Sequence, residues 1–252
     1  MNRLCSGPGN ELLAQLAAAQ LLVAFDFDGT LAPIVEDRHD AKMRASTRRF
    51  LRVVCHLYPC AVISGRSRQD VAARLEGCPV RWIIGNHGIE PWANMQVFAR
   101  AVSTARATLE QRLGDRQGID IEDKQYSLAI HYRRARKKKE ARRAIEAAVA
   151  TLSTSMRAVP GKLVLNVLPE KAPNKGDALL ELRDAAKLDT AIYLGDDVTD
   201  EDVFALDEPG RITTVRVGRS KFSAARYYLR DQLEMDRFLR TLIDLRPRSR
   251  AT

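Results

Sequence analysis

Short apolar runs alternate with amphipathic stretches along most of this chain, and that alternation leaves few folds open. Apolar runs at 21–27, 61–63, 82–84, 191–194 and 212–217 are bounded by turn residues, the pattern of buried strands. Helical patterns lie between them at 46–57, 68–75, 175–186 and 200–206. Strands that are apolar on both faces need helices on both faces of their sheet. The pattern predicts βαβ units and an α/β fold with a doubly wound, Rossmann-like parallel sheet.

The middle of the chain breaks the alternation. It predicts a helix at 98–113, strands at 118–121 and 125–132, and a long helix at 137–152. A hairpin follows at 156–159 and 162–168, turning at Pro160-Gly161. This β-β-α-β-β order suits a small α+β layer. We place an inserted α+β cap domain at residues 95–168, within a core formed by 1–94 and 169–252. The basic end of the chain, 245–252, is expected to fray.

Of 252 residues, 45% are hydrophobic and 29% charged, a balance that excludes collagen-like and disordered chains. The run 12–25 is interrupted by Gln15 and Gln20 and is too short to span a bilayer. No signal peptide is read from the N-terminus, and no membrane association is expected. Cys5, Cys55, Cys60 and Cys78 form no CxxC pair and have no histidine at zinc-ligand spacing. Reduced thiols in a cytoplasmic protein are the expectation. The net charge of +9 points to an anionic partner without choosing one. Eight of the eleven residues 133–143 are basic, but no aromatic interleaves from 134 to 143, as a nucleic-acid stacking platform would require. The stretch reads as a solvated helix face, and no nucleic-acid partner is expected.

Ligands of a doubly wound sheet bind beyond the carboxyl ends of its strands. The first apolar run ends there in Asp26-Phe27-Asp28-Gly29-Thr30. Two carboxylates flanking one residue at a buried strand end repel each other, and a cation or a proton relieves the repulsion. Ser64-Gly65-Arg66, Lys175-Gly176 and the acidic run from Gly195 to Asp202 fall at three further strand or helix ends. Each alone has an ordinary reading, as a turn, a solvated lysine or a favourable helix start. Together they bring carboxylates, a hydroxyl and an ammonium to one edge, a set suited to phosphoryl transfer. Asp26 and Asp196 can hold a hard cation such as Mg²⁺. A carboxylate nucleophile would pass the phosphoryl group through an acyl phosphate. Asp28 can protonate the leaving oxygen and then activate water. Ser64 and Lys175 can bind phosphoryl oxygens.

DFDGT, ISGR, the NKG lysine and GDDVTDED together resemble the haloacid-dehalogenase-like phosphatases, and the resemblance covers nearly the whole chain. It implies that Asp26 is the nucleophile, Asp28 the acid/base and Asp196 the metal ligand, supported by Asp197 or Asp200. The Asp28 backbone carbonyl would also touch the Mg²⁺. Only about 34 residues separate Thr30 from Ser64, and about 110 separate Ser64 from Lys175. A cap therefore has room only in the second interval, which argues against a phosphomutase with its cap in the first.

The segments Gly85 to Glu90, Glu122-Asp123-Lys124, His131-Tyr132-Arg133, Gly161-Lys162 and GDDVTDEDVF resemble the trehalose-6-phosphate phosphatases. That subfamily implies substrate contacts at Glu122, Lys124, Arg133 and Lys162, and we add Arg66 and the loop residue His87. The subfamily usually has a glutamate four residues after the Lys162 position, where this chain has Asn166. The implied reaction is Mg²⁺-dependent hydrolysis of trehalose 6-phosphate through an aspartyl phosphate. The partner is a small-molecule sugar phosphate, with a functional link to a trehalose-6-phosphate synthase. A phosphatase for another glycosyl phosphate, or a basic module without catalysis, are the alternatives.

Overall fold

The computed structural model describes residues 1–92, 95–152 and 155–246. In chain order the elements are β1 (Asn2–Arg3), α1 (Gly7–Ala18), β2 (Leu21–Phe25), α2 (Ala45–Leu57), β3 (Cys60–Ile63), α3 (Arg68–Arg74) and β4 (Trp82–Ile84). Then come α4 (Met95–Leu113), β5 (Asp120–Asp123), β6 (Leu128–His131), α5 (Lys138–Val149), β7 (Met156–Gly161) and β8 (Val164–Pro169). The last group is α6 (Lys175–Ala185), β9 (Thr190–Gly195), α7 (Glu201–Phe204), β10 (Ile212–Val217), β11 (Tyr227–Leu229) and α8 (Met235–Leu245).

One sheet has seven strands in the order β1-β11-β10-β9-β2-β3-β4, every pair parallel. Its strands alternate between two apolar layers. Leu21, Val23 and Phe25 of β2 face a core shared with α1, α2 and α8, while Leu22 and Ala24 face α6 and α7. Helices on both faces explain why these strands read as unbroken apolar runs. Progress along the sheet reverses between β2 and β9: the chain moves one way through β3 and β4 and the other way through β9, β10 and β11. This is the doubly wound architecture, and its switch point lies between the carboxyl ends of β2 and β9.

The second sheet, β5-β6-β8-β7, is antiparallel. Leu128 and Ile130 of β6 and Leu165 and Val167 of β8 pack on α4 and α5. The alternate residues, Glu122, His131, Val164 and Asn166, face the carboxyl edge of the parallel sheet. One face is thus apolar and one polar, as an antiparallel sheet allows.

Several expectations need correction. Pro160 and Gly161 are not the hairpin turn: they pair with Leu165 and Val164, and the turn is Lys162-Leu163, with Leu163 at φ +63°. Cross-strand pairing of the flanking residues outweighs the turn preference of Pro-Gly. The helix expected at 200–206 begins instead as a 3₁₀ turn, Val198–Asp200, continued by α7. β1, β11 and α8 had no counterpart in the sequence reading. α8 is amphipathic, burying Met235, Phe238, Leu239 and Leu242. Residues 247–252 of the basic tail lie outside the described residues. No helix among the described residues is long and apolar enough to cross a membrane.

Phe238 is fully buried, with its ring centroid 6.5 Å from that of Phe25 in an edge-on arrangement. Phe238→Ala should destabilise the parallel-sheet unit by about 3–5 kcal/mol. Urea unfolding followed by tryptophan fluorescence checks this, and a loss below about 1 kcal/mol would contradict the packing.

Candidate active site

The switch point positions the acidic residues. Asp26 directly follows β2, and its N–H donates to the Leu194 carbonyl of β9 at 2.8 Å. Asp196 directly follows β9. Gly29 has φ +83°, and a Cβ there would fall 2.2 Å from Asp196 Oδ2. The Asp-x-Asp-Gly order is therefore steric: only glycine lets the turn pass this close to the second acid.

Lys175 opens α6, whose start is fixed by a capping box between Asn174 and Asp177. Its side chain is 2% exposed, and Nζ lies 2.8 Å from Asp26 Oδ1 and 2.7 Å from Asp200 Oδ1. Asp200 Oδ1 also accepts from the Tyr193 hydroxyl at 2.7 Å. Its Oδ2 accepts from the backbone N–H groups of Asp196 and Asp197, each at 2.8 Å. Both Asp200 oxygens are thus doubly engaged, and Asp200 frames the loop. Asp197 and Asp200 also complete a capping box, and Arg216 donates to the carbonyls of Asp196 and Asp197. Asp196 is different: Lys162 Nζ lies 2.6 Å from Oδ2, while Oδ1 is buried without a partner.

Burial raises the Asp26 carboxyl well above the usual range; Lys175 opposes this, and Asp200, Asp196 and Asp28 add to the rise. Burial pushes Asp196 up to about 6 against the pull of Lys162. Burial alone would lower the Lys175 ammonium, but Asp200 and Asp26 hold it charged. One oxygen each from Asp26, Asp196 and Asp200 lie within 4.8 Å of one another. An oxygen-only donor set with an unpartnered buried acceptor is what a hard divalent cation fits. The cluster can therefore hold a metal ion.

Asp28 faces the cavity. Arg66 Nε and Nη2 grip its carboxylate at 2.6 and 2.7 Å, and Nη1 reaches Asp70 at 2.6 Å. Ser64 is 1% exposed, one residue behind the cavity wall formed by Gly65 and Arg66; its Oγ accepts from the Arg66 N–H at 3.2 Å. Its proton remains uncommitted among the described contacts. Asn86 and His87 both have positive φ, 49° and 60°, the left-handed region that few non-glycine residues enter and in which Asn and His are enriched. Their N–H groups bond the carbonyls of Arg66 and Ser64. Both His87 ring nitrogens are buried without partners at the cavity wall, and burial together with Lys124 and Lys175 lowers its pKa.

The antiparallel sheet closes the other side. A cavity of about 940 Å³ lies between the sheets, near the top of the usual range of ligand pockets, roughly 300–1,000 Å³. Asp26, Asp28, Arg66, His87, Lys175, Asp196 and Asp197 line it from the core. Glu122, Lys124, Arg133, Lys162 and Asn166 line it from the second sheet, so these candidates share one space. Lys162 stands in the turn rather than on β8, and Asn166 sits mid-strand, 6% exposed. Lys124 Nζ donates to the Gly65 carbonyl at 2.9 Å. Glu122 meets His131 at 2.9 Å and Arg38 at 3.1 Å. Arg38, Tyr193, Arg216 and Asn86 were missed as site residues. Arg38 opens a short 3₁₀ turn, Arg38–Asp40, in a stretch whose sequence shows no periodic pattern. Tyr193 was legible only as a core residue, although it sits three positions before Asp196 on the switch-point strand. The basic residues of α5 and Lys137 just before it are exposed, with Lys137 and Arg142 paired to Glu140 and Glu146, as on a solvated helix face.

A model of the family described as trehalose-phosphatase matches residues 24–232. A trehalose-phosphate phosphatase of Mycobacterium tuberculosis is 35% identical over 215 residues, 79% of this chain and 54% of that protein. One of Mycobacterium ulcerans is 36% identical over 197 residues, 72% of this chain and 50% of that protein. The chain thus spans about half the length of the curated relatives it matches. Among solved structures, the C-terminal domain of a trehalose-6-phosphate phosphatase from C. albicans superposes with TM-score 0.77 at 23% identity, covering 93% of this chain and 96% of that one. A trehalose-6-phosphate phosphatase from Aspergillus fumigatus gives 0.65 at 25% identity, covering 97% and 99%.

Burial would raise Glu122, but His131, Lys124 and Arg38 pull it down to about 2, from an ordinary 4.5. A depressed carboxyl stabilises the fold fully above its ordinary value and loses that contribution as pH falls toward its folded value. Glu122→Gln should therefore cost no more than about 3 kcal/mol at pH 7. The gap from wild type should close between pH 4.5 and 2. Denaturant titrations across that range check it; a gap that stays constant would contradict the ion-pair account.

Proposed function

We propose, since this chain belongs to the trehalose-phosphatase family, that it is a Mg²⁺-dependent phosphatase converting trehalose 6-phosphate to trehalose and phosphate. The observation that carries this reading is Asp26, buried beside Lys175 and Asp196 at the switch point and opening onto a cavity whose far wall offers Lys124, Arg133 and Lys162. An anionic sugar ester meets cations on the specificity side and a nucleophile on the core side.

In this reading Asp26 attacks phosphorus and forms an aspartyl phosphate while the P–O bond to the sugar breaks. Asp28, oriented by Arg66, gives its proton to the leaving sugar oxygen and then takes one from the attacking water. Lys175 and the Ser64 hydroxyl bind phosphoryl oxygens and stabilise charge that develops in the transition state. Asp26, Asp196 and the Asp28 backbone carbonyl would hold Mg²⁺, with Asp197 and Asp200 supporting the loop. When bound, the ion neutralises phosphoryl charge and keeps Asp26 anionic. Residues 95–168 act as the cap: Glu122, Lys124, Arg133, Lys162 and Asn166 read the sugar phosphate, and His87 offers a ring nitrogen from the core. Asn166 hydrogen-bonds a sugar hydroxyl without the charge of a glutamate.

Trehalose 6-phosphate is made by joining a glucosyl unit to glucose 6-phosphate, so a synthase of that class is the functional neighbour. Cys5, Cys55, Cys60 and Cys78 are unpaired thiols, which supports a cytoplasmic setting.

The test is phosphate release from a panel of sugar phosphates, with chelator and with Mg²⁺. Trehalose 6-phosphate should be turned over fastest, and only with Mg²⁺. Asp26→Asn should lose at least about a thousandfold in kcat, because an amide cannot form the acyl phosphate. Full activity in chelator, or substantial turnover by Asp26→Asn, would overturn the mechanism. A preference for another glycosyl phosphate would overturn the substrate.

A further inference from the structure

Lys162 crosses from the tip of the β7–β8 hairpin to the acid cluster. Its side chain is 51% exposed, while the Asp196 side chain it meets is 6% exposed. The two ammonium groups of the cluster differ. Lys175 is 2% exposed and fixed between two carboxylates. Lys162 is tethered by a flexible stem to a two-residue turn, and its one ion pair among the described residues is with Asp196.

The charges balance closely. Asp26, Asp196 and Asp200 contribute three negative charges, Lys175 offsets one, and Lys162 offsets another. Removing Lys162 raises the net negative charge of the cluster from one to two. Two cations drawing on one carboxylate repel each other across a few ångströms, and exposure of Lys162 reduces that repulsion without abolishing it.

We infer that Lys162 is a cap-borne counter-cation that opposes loading of the acid cluster by a divalent cation. Seating of the β7–β8 hairpin on Asp196 and cation binding at Asp196 are then antagonistic. The antagonism is reciprocal, so whatever affinity Lys162 removes from the cation, the cation removes from hairpin seating. Substrate resolves the conflict: its phosphate offers Lys162 an alternative anion and releases Asp196. The inference rests on the proposal that this cluster takes Mg²⁺.

The experiment is calorimetric titration of the substrate-free protein with Mg²⁺. Lys162→Met should bind Mg²⁺ on the order of tenfold more tightly than wild type. Lys162→Arg, which keeps the charge, should stay near wild type. So should Lys138→Met, which removes a unit charge from the exposed start of α5. Hydrogen exchange supplies a second readout. Mg²⁺ should speed exchange in Met156–Pro169 of wild type, whereas Lys162→Met should exchange fast there with or without the ion. Unchanged or weaker Mg²⁺ binding by Lys162→Met, with wild type binding normally, would overturn the inference alone. A wild type that neither binds Mg²⁺ nor needs it for phosphate release would overturn the underlying reading, and the inference with it.

Discussion

A buried lysine keeps its charge only if that charge is met, and Lys175 is met twice. Its ammonium joins Asp26, which follows β2, to Asp200, which closes the loop after β9. Three separate parts of the chain are thereby fixed to one point at the switch of the sheet. Asp200 in turn holds the amides of Asp196 and Asp197 and the Tyr193 hydroxyl, so the loop has one arrangement. That arrangement leaves Asp196 Oδ1 as a buried carboxylate oxygen without a partner. The cost of desolvating these charges is offset only while all partners are present. The site is therefore a consequence of one buried charge cluster rather than of independent residues.

The two sheets meet in a different way. Each keeps its own apolar core, and a small cluster of Ile89, Tyr126, Leu168 and Ala172 lies at their junction. The other ties named between them are polar: Arg38 with Glu122, Lys124 with the Gly65 carbonyl, Ser127 and the Lys124 carbonyl with Asn86, and Lys162 with Asp196. Interfaces of this polar kind separate more readily than a shared core. A cavity enclosed between such units can admit a bulky polar ligand without unfolding either one.

Much of this architecture is legible in the sequence. Strands apolar on both faces announce a helix-covered sheet, and β4 and β10 match their expected bounds. The acids sit where strand ends predict them, because position beyond a carboxyl end follows from topology alone. What stays hidden depends on partners distant in the chain. β1 and β11 are short edge strands whose pairing gives no periodic signal. The frame around Asp200 needs Tyr193, read only as part of an apolar run. Arg38 meets Glu122, and its carbonyl accepts from Arg66, out of a stretch that no sequence pattern marks. Lys162 lies in the turn because Pro160 and Gly161 extend β7, a choice made by cross-strand pairing and invisible locally.

The claim that Lys175 organises the site is tested most directly by a double-mutant cycle in urea unfolding at pH 7. Lys175→Met alone leaves Asp26 and Asp200 buried without the countercharge they share and should cost about 3–5 kcal/mol. Adding Asp26→Asn to Lys175→Met should cost less than the sum of the single changes, with a coupling of at least about 1 kcal/mol. Additive effects, or a Lys175→Met variant as stable as wild type, would contradict the account.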